Sequence, residues 1–391
     1  MSKRKVLSRR EFLGFSALAA GAAALAACSS SPAASPTSAP AKAAAPTTAP
    51  AAAPTTAPAV APTTAAAAAP TKAAATGQFT KTTIKLAHVV NTETSWHKGC
   101  VKFGDLVSQA TGGEVTVNIY PNSQLGTLKE LVDQTKGGII QMTVTDPGTI
   151  ALYDGWGPVG VFNMPYLFRG ADDTAIFQQL SKVANGPLMA DVIEKAAKAS
   201  GMRGMALDWW YGSRQLTTKT KQVTKVSDLE GMKIRCVDTP MNKCAMQALG
   251  ASVIGTAITE LYTALQTGVV EGEENPIDTI YSYKFYEVQK YVTLTAHLNQ
   301  TEIVLINDKF YQGVSPDLRK VLDDSMKQAK DYQTQLQLKA NNDEQGTLEQ
   351  KGMVINKVDL APFAEKTKDA WKQFEPLFGK GFYEKVQASL A

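Results

Sequence analysis

The sequence predicts an α/β protein of two lobes, each a mixed, mostly parallel sheet flanked by helices, and three observations carry that prediction. The stretch 228–276 reads strand, helix, strand, helix, the succession of a parallel sheet with helices on its faces. A comparable succession runs from Thr82 to Asp146. The chain beyond Thr76 is too long for one compact core of ordinary size, so two lobes with a hinge and a cleft between them are expected.

The amino end is an address. Ser8-Arg9-Arg10-Glu11-Phe12-Leu13 precedes an apolar run to Ala27, and paired arginines before a run too short to span a bilayer make a twin-arginine export signal over residues 1–27. Leu25-Ala26-Ala27-Cys28 has the form of a lipoprotein signal, so Cys28 is expected to carry lipid and anchor the chain to a membrane. Residues 28–76 are almost wholly Ala, Pro, Thr and Ser. They bury too little apolar surface to fold and are expected to be a disordered tether reaching on the order of 100 Å. The formal charge of +4 comes entirely from Lys3, Arg4, Lys5, Arg9 and Arg10 against Glu11. The remainder is neutral, which gives no argument for nucleic acid or an anionic surface as partner.

The first lobe opens with a strand at Thr82–Ala87, a loop over 88–94 and a helix from about Ser95. Val115–Tyr120 alternates apolar and polar residues as a half-buried strand does. Gly126 is expected to open a helix through Leu131, and Met142–Val144 to be a buried strand that leaves Asp146 at its end. In the other lobe Met232–Val237 is a strand with Arg235 near its carboxyl end, where ligands gather in such sheets. Proline and glycine bound a helix over 240–249. A strand follows at Ser252–Ile254, then a helix with Thr259 as N-cap and Gly268 past its end.

Four blocks, YPNSQLG (120–126), GSRQLTT (212–218), GMKIR (231–235) and ELYTALQTGVVEGEENP (260–276), followed by KFYEVQKY (284–291), resemble in content and order the solute-binding proteins of tripartite ATP-independent periplasmic (TRAP) transporters, the DctP-like group. The resemblance implies a periplasmic-binding-protein-like fold with lobes at 79–211 plus 300–340 and 212–299 plus 341–391, braced by a long helix over 316–350. It implies an extracytoplasmic, monomeric receptor that takes a small organic acid to a TRAP permease and performs no chemistry on it.

In that group the two arginine motifs hold the ligand's carboxylate. Arg235 is expected to be the bidentate clamp, because a guanidinium fork matches a carboxylate, and Arg214 to add charge or hold the loop. Asn275, restrained by Pro276, is expected to donate to the ligand. Trp209 and Trp210 are expected to cover its carbon skeleton, one of them facing the core. Asp146, His88 and Glu93 are candidates for its hydroxyl or amino groups. Ile258 stands where some relatives carry an aromatic ring.

Cys100, Cys236 and Cys244 form no CxxC spacing, so neither a zinc site nor a disulfide framework is indicated, while a Cys236–Cys244 bridge stays open. No phosphate loop or nucleophile motif is recognisable, and no cofactor or metal is expected. Two other roles remain: a receptor serving another transporter or a sensor, and an exported enzyme.

Overall fold

The computed structural model describes residues 79–390; the expected export signal, Cys28 and the expected tether lie outside them. The first half runs β1 (Thr82–Ala87), α1 (Ser95–Ala110), β2 (Val115–Tyr120), α2 (Leu128–Lys136), β3 (Met142–Thr145) and α3 (Pro147–Ile150). Helices α4 (Asp173–Ala184) and α5 (Pro187–Ser200) lead into the long strand β4 (Met202–Thr218). The second half repeats the succession as β5 (Lys233–Cys236), α6 (Pro240–Ala248), β6 (Ser252–Gly255), α7 (Ile258–Thr267), β7 (Gly272–Asn275) and α8 (Ile277–Ser282). The chain returns along β8 (Tyr291–Asn307), then α9 (Asp308–Gly313), the 35-residue α10 (Pro316–Gln350) and β9 (Val354–Lys357), and short helices close it.

One mixed sheet of nine strands carries both halves in the order β2-β1-β3-β8-β4-β7-β5-β6, with β9 beside β8. The order is a palindrome. Each outer trio is parallel within itself, and each joins the central pair through an antiparallel contact. β4 and β8 run antiparallel through both halves, and their register shifts four times between Gly204 and Leu216. Bulges bend a strand and increase its twist, and the ladder continues past all four of them. Gly212, at φ 120°, lies among these shifts. A Cβ there would stand 2.7 Å from Asn341 Nδ2.

α10 crosses both halves, packing on α1, β4, α8 and β9. Its Ser315 cap accepts from the Leu318 N–H, and Gln333 Nε2 donates to the Trp210 carbonyl at 2.7 Å. The final stretch, expected with the second lobe, shares a core with residues of both halves, Met241 and Cys244 of α6 among them. Phe374, Phe378, Tyr383 and Val386 pack in one cluster with Trp156, Phe162 and Met189, because the apolar side of α4 and α5 needs a cover.

α7 differs from expectation. It starts at Ile258, Ala257 occupies the N-cap position without a side-chain bond, and Thr259 lies inside the first turn. Pairing of β6 ends at Gly255, and the helix begins two residues sooner than a cap at Thr259 would place it. Glu260 still complements the dipole, and Gly268 closes the helix in the left-handed region.

Gly99 tests the packing of α1 against β4 and α10. Alanine would gain about 1 kcal/mol of helix propensity, but its methyl would stand 2.5 Å from the Trp209 ring and 2.6 Å from Gln333 Cβ. Overpacking of that kind costs about 1–3 kcal/mol. Gly99→Ala is therefore expected to lower the thermal unfolding midpoint; a raised midpoint would show that the contact gives way.

Candidate functional site

A cavity of about 560 Å³ opens where the carboxyl ends of β3, β5 and β7 face the central strands. Of the residues expected in the site, Arg235, Arg214, Asn275 and Asp146 line it, and so does Ile258. Trp209, Trp210, His88 and Glu93 do not. Both tryptophans are buried in core clusters on opposite sides of β4, because helices cover both faces of that strand. His88 is buried against His97, with 3.1 Å between ring nitrogens, and Glu93 is exposed on the loop. The aromatic wall comes from Trp96 and Tyr211, which meet edge to face at 5.5 Å.

The two arginines are equally buried and differently served. Arg214 donates from Nε to Glu274 Oε2 at 2.5 Å, from Nη1 to Gln300 Oε1 at 2.7 Å, and from Nη2 to Glu274 Oε1 and Asn275 Oδ1, each at 3.0 Å. His297 Nε2 lies 3.2 Å from the same Glu274 Oε2. Burial pushes the Glu274 carboxyl up, but Arg214 and His297 outweigh it and hold it at about 2. Arg214 is thus fixed to the protein by its own counter-ion.

Arg235 has no such counter-ion. Nε and Nη2 both donate to the Thr256 carbonyl, at 2.8 and 2.5 Å. Among the described residues no other acceptor takes a hydrogen from it, and it makes no salt bridge. The end-on edge, Nη1 with the second Nη2 hydrogen, is left without a protein acceptor. Burial lowers its pKa, and the charge of Glu274 only partly offsets this. A desolvated cation without a paired anion is a strong attractor for one.

The neighbouring strand ends complete the floor. Asn275 Oδ1 accepts from Arg214 and from the Tyr211 hydroxyl at 3.2 Å, and its Nδ2 donates to Glu273 Oε2 at 2.6 Å, leaving one amide hydrogen. Asp146 caps α3 by accepting from the Thr149 N–H and hydroxyl, and also accepts from Asn242 Nδ2 of α6 at 2.7 Å. That last bond joins the two halves across the cavity. The uncapped start of α7, residues 255–258, lines the same space.

Sequence reasoning missed Glu274, His297, Tyr211, Gln300 and Glu302. The last two offered a signal: they stand two apart on one strand, which puts two polar side chains on the same face of a buried ladder. Cys236 and Cys244 are free, buried thiols, which settles the question of a bridge between them.

The model of the family described as "Bacterial extracellular solute-binding protein, family 7", DctP, matches residues 86–377. The chain belongs to that family. A solute-binding protein of Roseobacter denitrificans is 32% identical over 289 residues, 74% of this chain and 85% of that protein. Its solved structure, a TRAP periplasmic solute-binding protein with bound L-galactonate, superposes with a TM-score of 0.70 at 29% identity, covering 80% of this chain and 100% of that one. The C4-dicarboxylate-binding periplasmic protein of Rhodobacter capsulatus is 34% identical over 254 residues, 64% of this chain and 72% of that protein. A TRAP solute-binding protein of Ochrobacterium anthropi, solved with L-fuconate, gives a TM-score of 0.73 at 30% identity, covering 80% and 100% of the two chains. This likeness covers the two-lobed fold and the class of extracytoplasmic ligand-binding receptor. No helix among the described residues is long and apolar enough to cross a membrane.

Glu273 gives a pH test of the floor. Burial first, then Glu274, raise it from its ordinary 4.5 to about 7, so the folded chain keeps a proton that the unfolded chain releases. Stability from this group is intact below about 4.5 and is lost as pH rises toward 7. The unfolding free energy of the parent minus that of Glu273→Gln should therefore fall across that window in denaturant titrations. A difference that stays constant from pH 4 to 8 would contradict this assignment.

Proposed function

We propose that the chain is a lipid-anchored receptor that encloses a small organic acid between its lobes and delivers it to a TRAP permease in the membrane. The observation that carries this reading is the buried Arg235 guanidinium, which lines the cavity without a protein carboxylate. The relatives described above are named for, or were solved with, galactonate, fuconate and C4-dicarboxylate, and each of these is an acid.

In the proposed sequence of events the ligand carboxylate pairs with the end-on edge of Arg235 in two parallel charge-assisted bonds. Asn275 donates its remaining amide hydrogen, and Arg214 with Gln300 holds the floor in place. The first lobe, at 79–211 plus 300–340, then closes on the second, at 212–299 plus 341–391, with the last helices from Phe374 shared between them. The bulged strands β4 and β8 absorb the rotation, and expelling water strengthens the ion pair. The permease reads the closed form.

Export by the twin-arginine signal, lipid on Cys28 and the Ala/Pro tether would hold a monomeric receptor near its permease while leaving it free to search for ligand. The site residues in their described roles bind and orient; none forms a nucleophile with a base, and no turnover is proposed.

Titration calorimetry with small carboxylates tests the clamp. Arg235→Ala is expected to weaken binding by about 2–5 kcal/mol, since removing one partner of a buried charge pair leaves the other uncompensated. Arg235→Lys keeps the charge but loses the fork and should fall in between. Parental affinity in Arg235→Ala would overturn the assignment.

A further inference from the structure

The cavity contains a second buried ionisable group with an open bonding position. Glu302 stands two residues beyond Gln300 on β8, is 1% exposed and lines the cavity, and its Oε2 has no hydrogen-bond partner. A buried polar atom left unpaired is costly and calls for an explanation, and the residue that carries it lines the cavity. Its spatial neighbours are Asp146, which disfavours its charge, and Arg214, which favours it. Burial, more than either neighbour, keeps it well above the usual carboxylate range. Burial thus favours the protonated form of Glu302, which can both give and take a hydrogen bond.

Asp146 stands beside it with three donors on its two oxygens, one short of the roughly four a carboxylate accepts. Both groups lie on the β3–β8 side of the cavity, whereas Arg235 lies on β5, three strands from β8 and four from β3. The remaining cations of the lining do not face this pair as free charges. Arg214 is bonded to Glu274, and Lys129 is 75% exposed and paired with Asp133.

We propose that Glu302 and Asp146 read the hydroxyl groups of a hydroxylated monocarboxylate whose acid end sits on Arg235, and that they exclude unsubstituted dicarboxylates. A hydroxyl supplies the donor that Asp146 lacks and exchanges bonds with Glu302 in both directions. A second carboxylate supplies no donor, meets the charge of Asp146 and finds no buried cation of its own. The inference rests on the receptor reading above and names the substrate class of the same cavity.

Three six-carbon acids of equal chain length test it: gluconate, adipate and hexanoate, titrated calorimetrically into the full chain. Four- to six-carbon aldonates of other stereochemistry stand beside gluconate so that shape alone does not decide, and the tightest is used. A site built to bond hydroxyls rejects ligands lacking them by large factors, so this aldonate should bind at least about 100-fold tighter than adipate or hexanoate. Adipate binding as tightly as the best aldonate would overturn the inference.

In Glu302→Leu the aldonate should lose about 30-fold or more and hexanoate little. Glu302→Gln, which keeps shape and can still give and take, should stay within about fivefold, with melting curves confirming that both variants fold. Aldonate affinity unchanged in Glu302→Leu would remove Glu302 from the role. Adipate that binds as tightly as the best aldonate and is lost in Arg235→Ala would sink this inference and leave the receptor reading standing. Failure of every acid would sink both.

Discussion

A guanidinium cannot be taken out of water without compensation, and the cleft contains two of them under opposite arrangements. Arg214 is neutralised within the fold: Glu274 holds it by two oxygens and a carbonyl, with His297 behind. Arg235, as deeply buried, is given a single backbone carbonyl. The effective penalty for burying an unpaired ion is several kcal/mol, so the unliganded cleft holds free energy that only an anion can release. The rest of the site is arranged around that imbalance. Asn275 and Gln300 immobilise Arg214, which keeps Glu274 turned toward it and leaves Arg235 without a protein anion.

The sheet makes this arrangement possible. Its palindromic order brings two like trios to a common pair of long strands, and each trio ends its third strand in a short polar residue followed by proline, Asp146-Pro147 and Asn275-Pro276. The halves differ at the strand beside it. In the register of the sheet, Arg235 on β5 pairs with β7 as Ala87 on β1 pairs with β3. Two similar scaffolds thus offer different chemistry, a cation from one half and acceptors from the other. The bulges in β4 and the positive φ at Gly212 lie between them, where a change of angle disturbs least.

Much of this was legible in the sequence, for local reasons. β1 and β2 declare themselves by composition and alternation, and α10 by a proline start and a long stretch of helix formers. Arg235 was legible because its strand is short and ends in a motif shared by a family. What failed depends on distant pairing. The partner of Arg214 is set by the register of β4 against β7, with no trace in either segment alone. Trp209 and Trp210 were expected to show one face to the ligand because neighbours on a strand point opposite ways. That rule holds, but helices cover both faces of β4, so both rings are core. The threonine cap expected for α7 failed differently: the helix begins uncapped, with its first turn lining the cavity, and local capping preference does not see a ligand.

The central claim is that a negative charge on the ligand, met by Arg235, anchors binding. It is tested most directly by thermal unfolding with matched pairs of sugar acid and sugar alcohol, such as gluconate against sorbitol and galactonate against galactitol, since a ligand bound only by the folded state raises the midpoint. The arrangement of charges predicts a rise with an acid and none with its neutral partner at the same concentration. An equal rise with both would show that the hydroxyl contacts carry the binding and that the unpaired arginine does not.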